Sequence, residues 1–316
     1  MRRNALFIAT LLTATFWISI ISPADRKDAP TAMSQQTALQ DATDTAQVAE
    51  AIKEFLSYEV GHIVSVGFLS TGVDGSRFAL KGRLLTGANF VENEPDILDR
   101  NGAGTYSAAL IAGIASNARV LPIKVLNGLG QGTISQVVKG INFGIEEGAK
   151  ILLIPGGTTT ESDHALKEAI ARARQKGILL IAAAGSDRSS ERHYPGAFEE
   201  VLAVGATDIW DRKEAFSNFG DWVRLFAPWV DLKSVYSGSP GNLSTSSPEA
   251  AIVAGVAALV LGINPSLGAD GTEEILLSTA TDISRKNPGM GFAARRVNAL
   301  AAVRAARIST WLKVKQ

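Results

Sequence analysis

Short apolar runs bounded by glycine or charged residues alternate along most of the chain with stretches whose apolar residues recur at helical spacing. The runs are residues 62–69 (HIVSVGFL), 119–126 (RVLPIKVL), 150–157 (KILLIPGG), 177–185 (GILLIAAAG) and 201–208 (VLAVGATD). Runs of this length, rich in β-branched residues and lacking polar alternation, predict strands buried on both faces, as in a parallel sheet. Between them the spacing predicts helices over 135–147 and 162–176, and ahead of them one over 46–58, where Val48, Ala51, Ile52, Phe55 and Leu56 share a face. The alternation predicts an α/β fold of three layers, a mostly parallel sheet with helices on both faces. In such a fold functional residues gather where the carboxyl ends of the strands meet loops and helix starts.

The strongest helix pattern is different in kind. Residues 241–265, GNLSTSSPEAAIVAGVAALVLGINP, join a serine-rich turn to a helix that is apolar on every side from Ala250 to Val260, the pattern of a helix buried through the middle of a domain. Pro248 suits the first helical position, which makes Ser247 the N-cap, and Gly262 and Pro265 end the helix. Ser247 either caps a core helix or presents its hydroxyl at a site.

Composition narrows the classes. With 316 residues, 46% hydrophobic and 20% charged, the chain can build one large domain around a sizeable core. Lys+Arg and Asp+Glu are both 31, so no overall basic excess points to nucleic acid. The absence of cysteine excludes disulfides and thiol chemistry. Arg2 and Arg3 precede an uncharged run over 5–21, and Ser22-Pro23-Ala24 follows. Residues 1–24 therefore read as a signal peptide or an N-terminal membrane anchor, and either sends the protein out of the cytoplasm, to be periplasmic, secreted or membrane-anchored. Residues 25–45 read as a polar linker, and the domain runs over 46–316.

Several segments carry a resemblance. VAGVAAL at 253–259 with Ser247 ahead of it is similar to G-T-S-M-A-x-P-H-V-A-G-x-A-A-L, and residues 68–74 (FLSTGVD) to V-I-D-T-G-x-D. NGAGTYSAALIAG at 101–113 is similar to N-G-H-G-T-H-V-A-x-x-I-A-G, and IAAAGSD at 181–187 to I-A-A-A-G-N-D. YPGAFEEVLAVGATD at 194–208, FSNFGDWVRLFAPWV at 216–230 and RRVNALAAV at 295–303 extend the match. In that order and spacing the chain resembles the subtilisin-like serine proteases, which implies their fold over about 60–306.

The resemblance also implies a site, and there the chain departs from the family. Ser247 falls on the nucleophile, but Ser70 stands for the aspartate, Tyr106 for the catalytic histidine and Ser186 for the oxyanion asparagine. A serine hydroxyl needs a base in hydrogen-bond reach and a carboxylate to orient that base, and a phenol of pKa about 10 does not serve near neutrality. His62, His164 and His193 read as surface or capping residues, Asp74 as a turn residue, and Glu249 as a capping-box partner of Ser246 or an unorthodox base. The peptide-binding features are better kept: Gly130, Gln131 and Gly132 match an edge that pairs with an extended peptide, while Ile154, Pro155 and Gly156 form an altered opposite wall. The family's calcium loop is missing between Ile114 and Arg119, so neither metal nor cofactor is expected. The forty or so residues between the signal and the first strand are too few for a separate inhibitory prodomain. Two functions stand: an exported pseudoprotease whose cleft holds a peptide or partner protein, with no nucleic acid, or an active serine endopeptidase with a non-standard base. Glycines over 128–132 without a following acidic residue do not support nucleotide binding.

Overall fold

The computed structural model describes residues 61–154, 156–159, 163–208, 210–229 and 247–314. The anticipated helix over 46–58, the segments before it and Pro155 lie outside the described residues.

The strands are β1 (Val64–Ser70), β2 (Ala88–Asn89), β3 (Ala118–Lys124), β4 (Ile151–Ile154), β5 (Leu179–Ala183), β6 (Val201–Thr207), β7 (Leu225–Pro228), β8 (Thr281–Asp282) and β9 (Arg295–Arg296). They form one sheet in the order β2-β3-β1-β4-β5-β6-β7-β9-β8, parallel except for the β8–β9 pair. The helices are α1 (Ala103–Ile114), α2 (Ile134–Glu146), α3 (His164–Gln175), α4 (Pro248–Ile263), α5 (Gly268–Ser278) and α6 (Ala299–Val314).

Alternate strand residues feed two cores, as the period of two in a strand requires. Val66, Phe68, Ile151, Leu153 and Ile181 pack with α1, α4, α5 and α6 on one face. Leu69, Leu121, Ile123, Leu152 and Leu180 pack with α2 and α3 on the other. The fully apolar α4 lies inside the first of these cores, with Pro248 to Gly262 all buried.

The direction of α1 and α4 positions the site. The chain leaves β1 and, after an excursion, starts α1 against that strand's carboxyl end: a Cβ on Gly104 would collide with the Gly72 carbonyl oxygen and stand 2.8 Å from Ser70 Oγ. α4 ends at the opposite, amino edge of the sheet, where the His62 N–H donates to Gly262 O (2.9 Å). There Asn117 Nδ2, just ahead of β3, donates to Ala258 O (2.9 Å) and to His62 O (3.0 Å). Sixteen helical residues cover about 24 Å, so α4 begins back at the carboxyl edge. α1 and α4 run side by side and start at one edge, with Gly255 against Ile114; a Cβ there would lie 2.9 Å from Ile114 Cβ.

Candidate functional site

Ser70 closes β1 and is paired in register with Lys124 of β3. Its hydroxyl is held within its own turn: Oγ accepts from the Gly72 N–H (3.2 Å) and donates to Gly72 O (3.3 Å). Beside it, Asp99 organises the start of α1. The N-cap residue, Gly102 at φ 99°, has no side chain to offer. Asp99 takes over that task, accepting from the N–H groups of Asn101 (2.9 Å), Gly102 (2.8 Å) and Thr105 (2.7 Å) and from the hydroxyls of Thr71 (2.9 Å) and Thr105 (2.7 Å). Its carboxylate is thereby engaged in structure, satisfying donors that a helix start leaves open.

Tyr106 is buried in the first turn of α1. Laid on the chain, N-G-H-G-T-H sets Ala103 under its first histidine and Tyr106 under its second. A sequence reading that stops at Tyr106 misses Ala103, the residue that opens α1 beside Gly104; the signal is the motif's own pair of histidines, one helical turn apart. Neither position supplies an imidazole.

Ser247 stands at the N-cap of α4, and its side chain makes no capping hydrogen bond, although its carbonyl accepts from the Ala251 N–H (3.1 Å). Two residues on, Glu249 is buried, and desolvation pushes its carboxyl up to about 8 against the opposing hydrogen bond of its own N–H. Near neutral pH the protonated form therefore predominates. Its capping-box partner from the sequence reading, Ser246, lies outside the described residues.

Ser186 is exposed on the turn after β5. Gly185 ahead of it, at φ 98°, adopts the left-handed backbone that favours glycine. The buried Asn218 shapes this turn: its Oδ1 accepts from the Asp187 N–H (2.8 Å) and the Ser189 N–H (3.0 Å), and its Nδ2 donates to Ala184 O (3.0 Å).

The imidazoles are engaged in other settings. His62 lies at the amino edge of the sheet, beside the end of α4. His164, exposed at the start of α3, lies 3.4 Å from Glu168. His193 is buried, stacked on Trp222 with ring centroids 6.5 Å apart, and its Nε2 is 3.4 Å from Asp187. Lys124, fully buried next to Ser70 in the sheet, is paired with Glu94 at 2.7 Å and donates to Leu98 O (2.6 Å). The bond from Lys124 to Glu94 leads the effects that hold the Glu94 carboxyl below its usual range. Asp74 closes a turn on Ser76, whose hydroxyl is 2.7 Å from Oδ1, and its carboxyl too is lowered, first by that bond.

The two segments expected from the sequence to bind a peptide differ. In the loop over 127–132 the Asn127 N–H donates to Gln131 O (2.8 Å) and the Gly130 N–H to Asn127 O (2.8 Å). Asn127 Oδ1 takes the N–H groups of Leu129 (2.9 Å) and Gln131 (3.0 Å). Gly130 turns the chain at φ 77°, and its carbonyl and the Gly132 N–H are left with no partner among the described residues. Gly132 is constrained to glycine, since a Cβ there would collide with Val125 O. On the other side Ile154 is a core residue at the end of β4, paired in register with Ala182 and packed in the α2–α3 core. Gly156 and Gly157 beyond it are exposed, and Pro155 lies outside the described residues.

The model of the subtilase family matches residues 61–294. The chain is 35% identical over 206 residues to the thermophilic serine proteinase of Bacillus sp. (strain AK1), covering 62% of this chain and 51% of that protein, so it spans about half of that relative's length. It is 38% identical over 240 residues to subtilisin DY of Bacillus licheniformis, covering 71% of this chain and 85% of that one. Its fold matches the crystal structure of a cold adapted subtilisin-like serine proteinase with TM-score 0.67 and 28% identity, over 76% of this chain and 90% of the other.

Proposed function

The chain belongs to the subtilase family, and on that premise we propose that it is an exported pseudoprotease whose cleft binds a peptide or partner protein without hydrolysing it. The observation that carries this reading is that the positions of the triad's base and orienting acid hold neither an imidazole nor a carboxylate. Ser70 spends its hydroxyl on its own turn, and Ala103 and Tyr106 offer no imidazole. A serine without a base stays protonated and is a poor nucleophile. At the oxyanion position, the Ser186 hydroxyl is shorter than an asparagine amide. Binding is supported by the Gly130 carbonyl and the Gly132 N–H, which no described residue engages and which an added chain can bond. Export is supported by Arg2, Arg3 and the apolar run that follows them.

One observation favours the second reading, an active endopeptidase with a non-standard base: Ser247 sits at a helix start without spending its side chain on the cap. A fluorophosphonate probe and a peptide library read by mass spectrometry separate the two. The proposal expects no labelling of Ser247 and no cleavage. Labelling that disappears in Ser247→Ala, together with cleavage of the library, would overturn it.

A further inference from the structure

At the amino edge of the sheet, opposite the cleft, cationic side chains stand in a row across neighbouring strands. Ser65 of β1 is paired in register with Arg119 of β3. On the other side of β1 the Lys150 N–H, one residue ahead of β4, donates to Ser65 O (2.9 Å). Outside β3 the chain over 83–85 adds a short parallel bridge, in which the Val120 N–H donates to Arg83 O (2.8 Å) and the Leu85 N–H to Val120 O (2.8 Å). The order across the sheet is therefore Arg83, Arg119, Ser65, Lys150, with about 5 Å between neighbouring strands.

Strand alternation puts the whole row on the α2–α3 face. Leu121 of β3, Leu69 of β1 and Leu152 of β4 belong to the core on that face, and Arg119, Ser65 and Lys150 precede them by an even number of residues. Leu84 and Val120, bridged to each other, point to the opposite core, which turns Arg83 the same way as Arg119.

The row is short of negative charge. Arg83, Arg119 and Lys150 form no ion pair among the described residues, and Glu146 and Glu147, exposed at the end of α2, pair with none of them. Arg83 Nη1 donates to Ser116 O and Arg119 Nη1 to Ala118 O (3.1 Å), which leaves most N–H donors of each guanidinium unspent. Burial, and after it the charge of Arg119, hold the Arg83 guanidinium below its usual pKa. Between the cations the Ser65 hydroxyl is buried and has no hydrogen-bond partner among the described residues, a costly arrangement. A helix C-terminus favours cations, and α2 ends shortly before Lys150; that accounts for the lysine, but not for a pair of arginines drawn together farther out on the sheet.

We propose that the row binds a tetrahedral oxyanion, a phosphate or sulfate group, whose oxygens take the remaining N–H donors of Arg83 and Arg119, with Lys150 and the Ser65 hydroxyl completing its shell. Guanidinium forks match such oxygens in pairs, and the bound charge offsets the repulsion between the arginines. The site lies at the end of the sheet away from Ser247, so it holds whether or not the cleft is catalytic.

Titration of the full chain with sodium phosphate or sodium sulfate, at an ionic strength held constant with chloride, tests it by calorimetry and by thermal melting. Saturable binding is expected, with a rise in melting temperature that chloride does not give, and comparing the two salts tells which group the site prefers. Arg83→Gln with Arg119→Gln should weaken binding by about tenfold or more, and Lys150→Gln by less. Lys167→Gln, which removes an exposed charge from α3, should leave the affinity as it is. Where the paired change prevents folding, the parent chain still decides: bound oxyanion should slow the reaction of Arg83 and Arg119 with phenylglyoxal, read by peptide mass spectrometry, more than that of the exposed Arg295. The proposal fails if neither oxyanion binds beyond the chloride control, if binding survives the paired change, or if the salts protect Arg295 as much as the pair.

Discussion

Glu249 replaces a small residue of the family pattern with a carboxyl buried in the first turn of α4, 7% exposed. Its folded-state pKa, about 8, lies above the ordinary 4.5, so between those values the folded chain holds a proton that the unfolded chain has released. Linkage then lowers stability as pH rises through this window, and the loss is complete above the folded pKa. Glu249→Gln keeps the shape and removes the titration. Its advantage over the parent in urea unfolding should be small near about pH 5 and reach roughly a few kcal/mol near about pH 9. An advantage that does not change with pH would mean that Glu249 is ionised in the fold.

The pair α1 and α4 depends on two glycines that remove side chains from close approaches, Gly104 at the end of β1 and Gly255 against Ile114. Gly255→Ala tests the second. Alanine is the better helix former by about 1 kcal/mol, but its Cβ would meet Ile114 Cβ at 2.9 Å, and overpacking costs roughly 1–3 kcal/mol. The melting temperature should fall; a rise would show that the two helices can part at little cost. Much of this architecture is legible in the sequence. The apolar runs match β1, β3, β4, β5 and β6, and the two spaced patterns match α2 and α3 within about two residues, because burial on both faces or on one face leaves a periodic trace. β2, β8 and β9 have two residues each, too few for any pattern, and exist because neighbouring strands offer an edge. At the site, residue types can be read from the motifs but their engagements cannot. That Ser70 bonds back to Gly72, that Asp99 caps a helix whose N-cap is glycine, and that Asn218 holds the Ser186 turn all depend on contacts between segments far apart in the chain, as with Asp187 and Asn218, or on loop geometry that leaves no period.

For the molecule as a whole, equal totals of acidic and basic residues conceal a segment after Asp282 that is basic only. Charge of one sign is a matter of location, and a net figure cannot show it. The proposed export also belongs to this scale. Fractionation of expressing cells should find the domain outside the cytoplasm, with its mature start near Asp25 or with the apolar run retained in the membrane; full-length protein soluble in the cytoplasm would refute it. The length of α4 then takes on a further meaning. The helix joins the amino edge of the sheet, where Gly262 O and Ala258 O are held by His62 and Asn117, to Ser247 at its start. About 24 Å of buried rod therefore couples the two surfaces, and a change that shifts its far end should be felt at the serine.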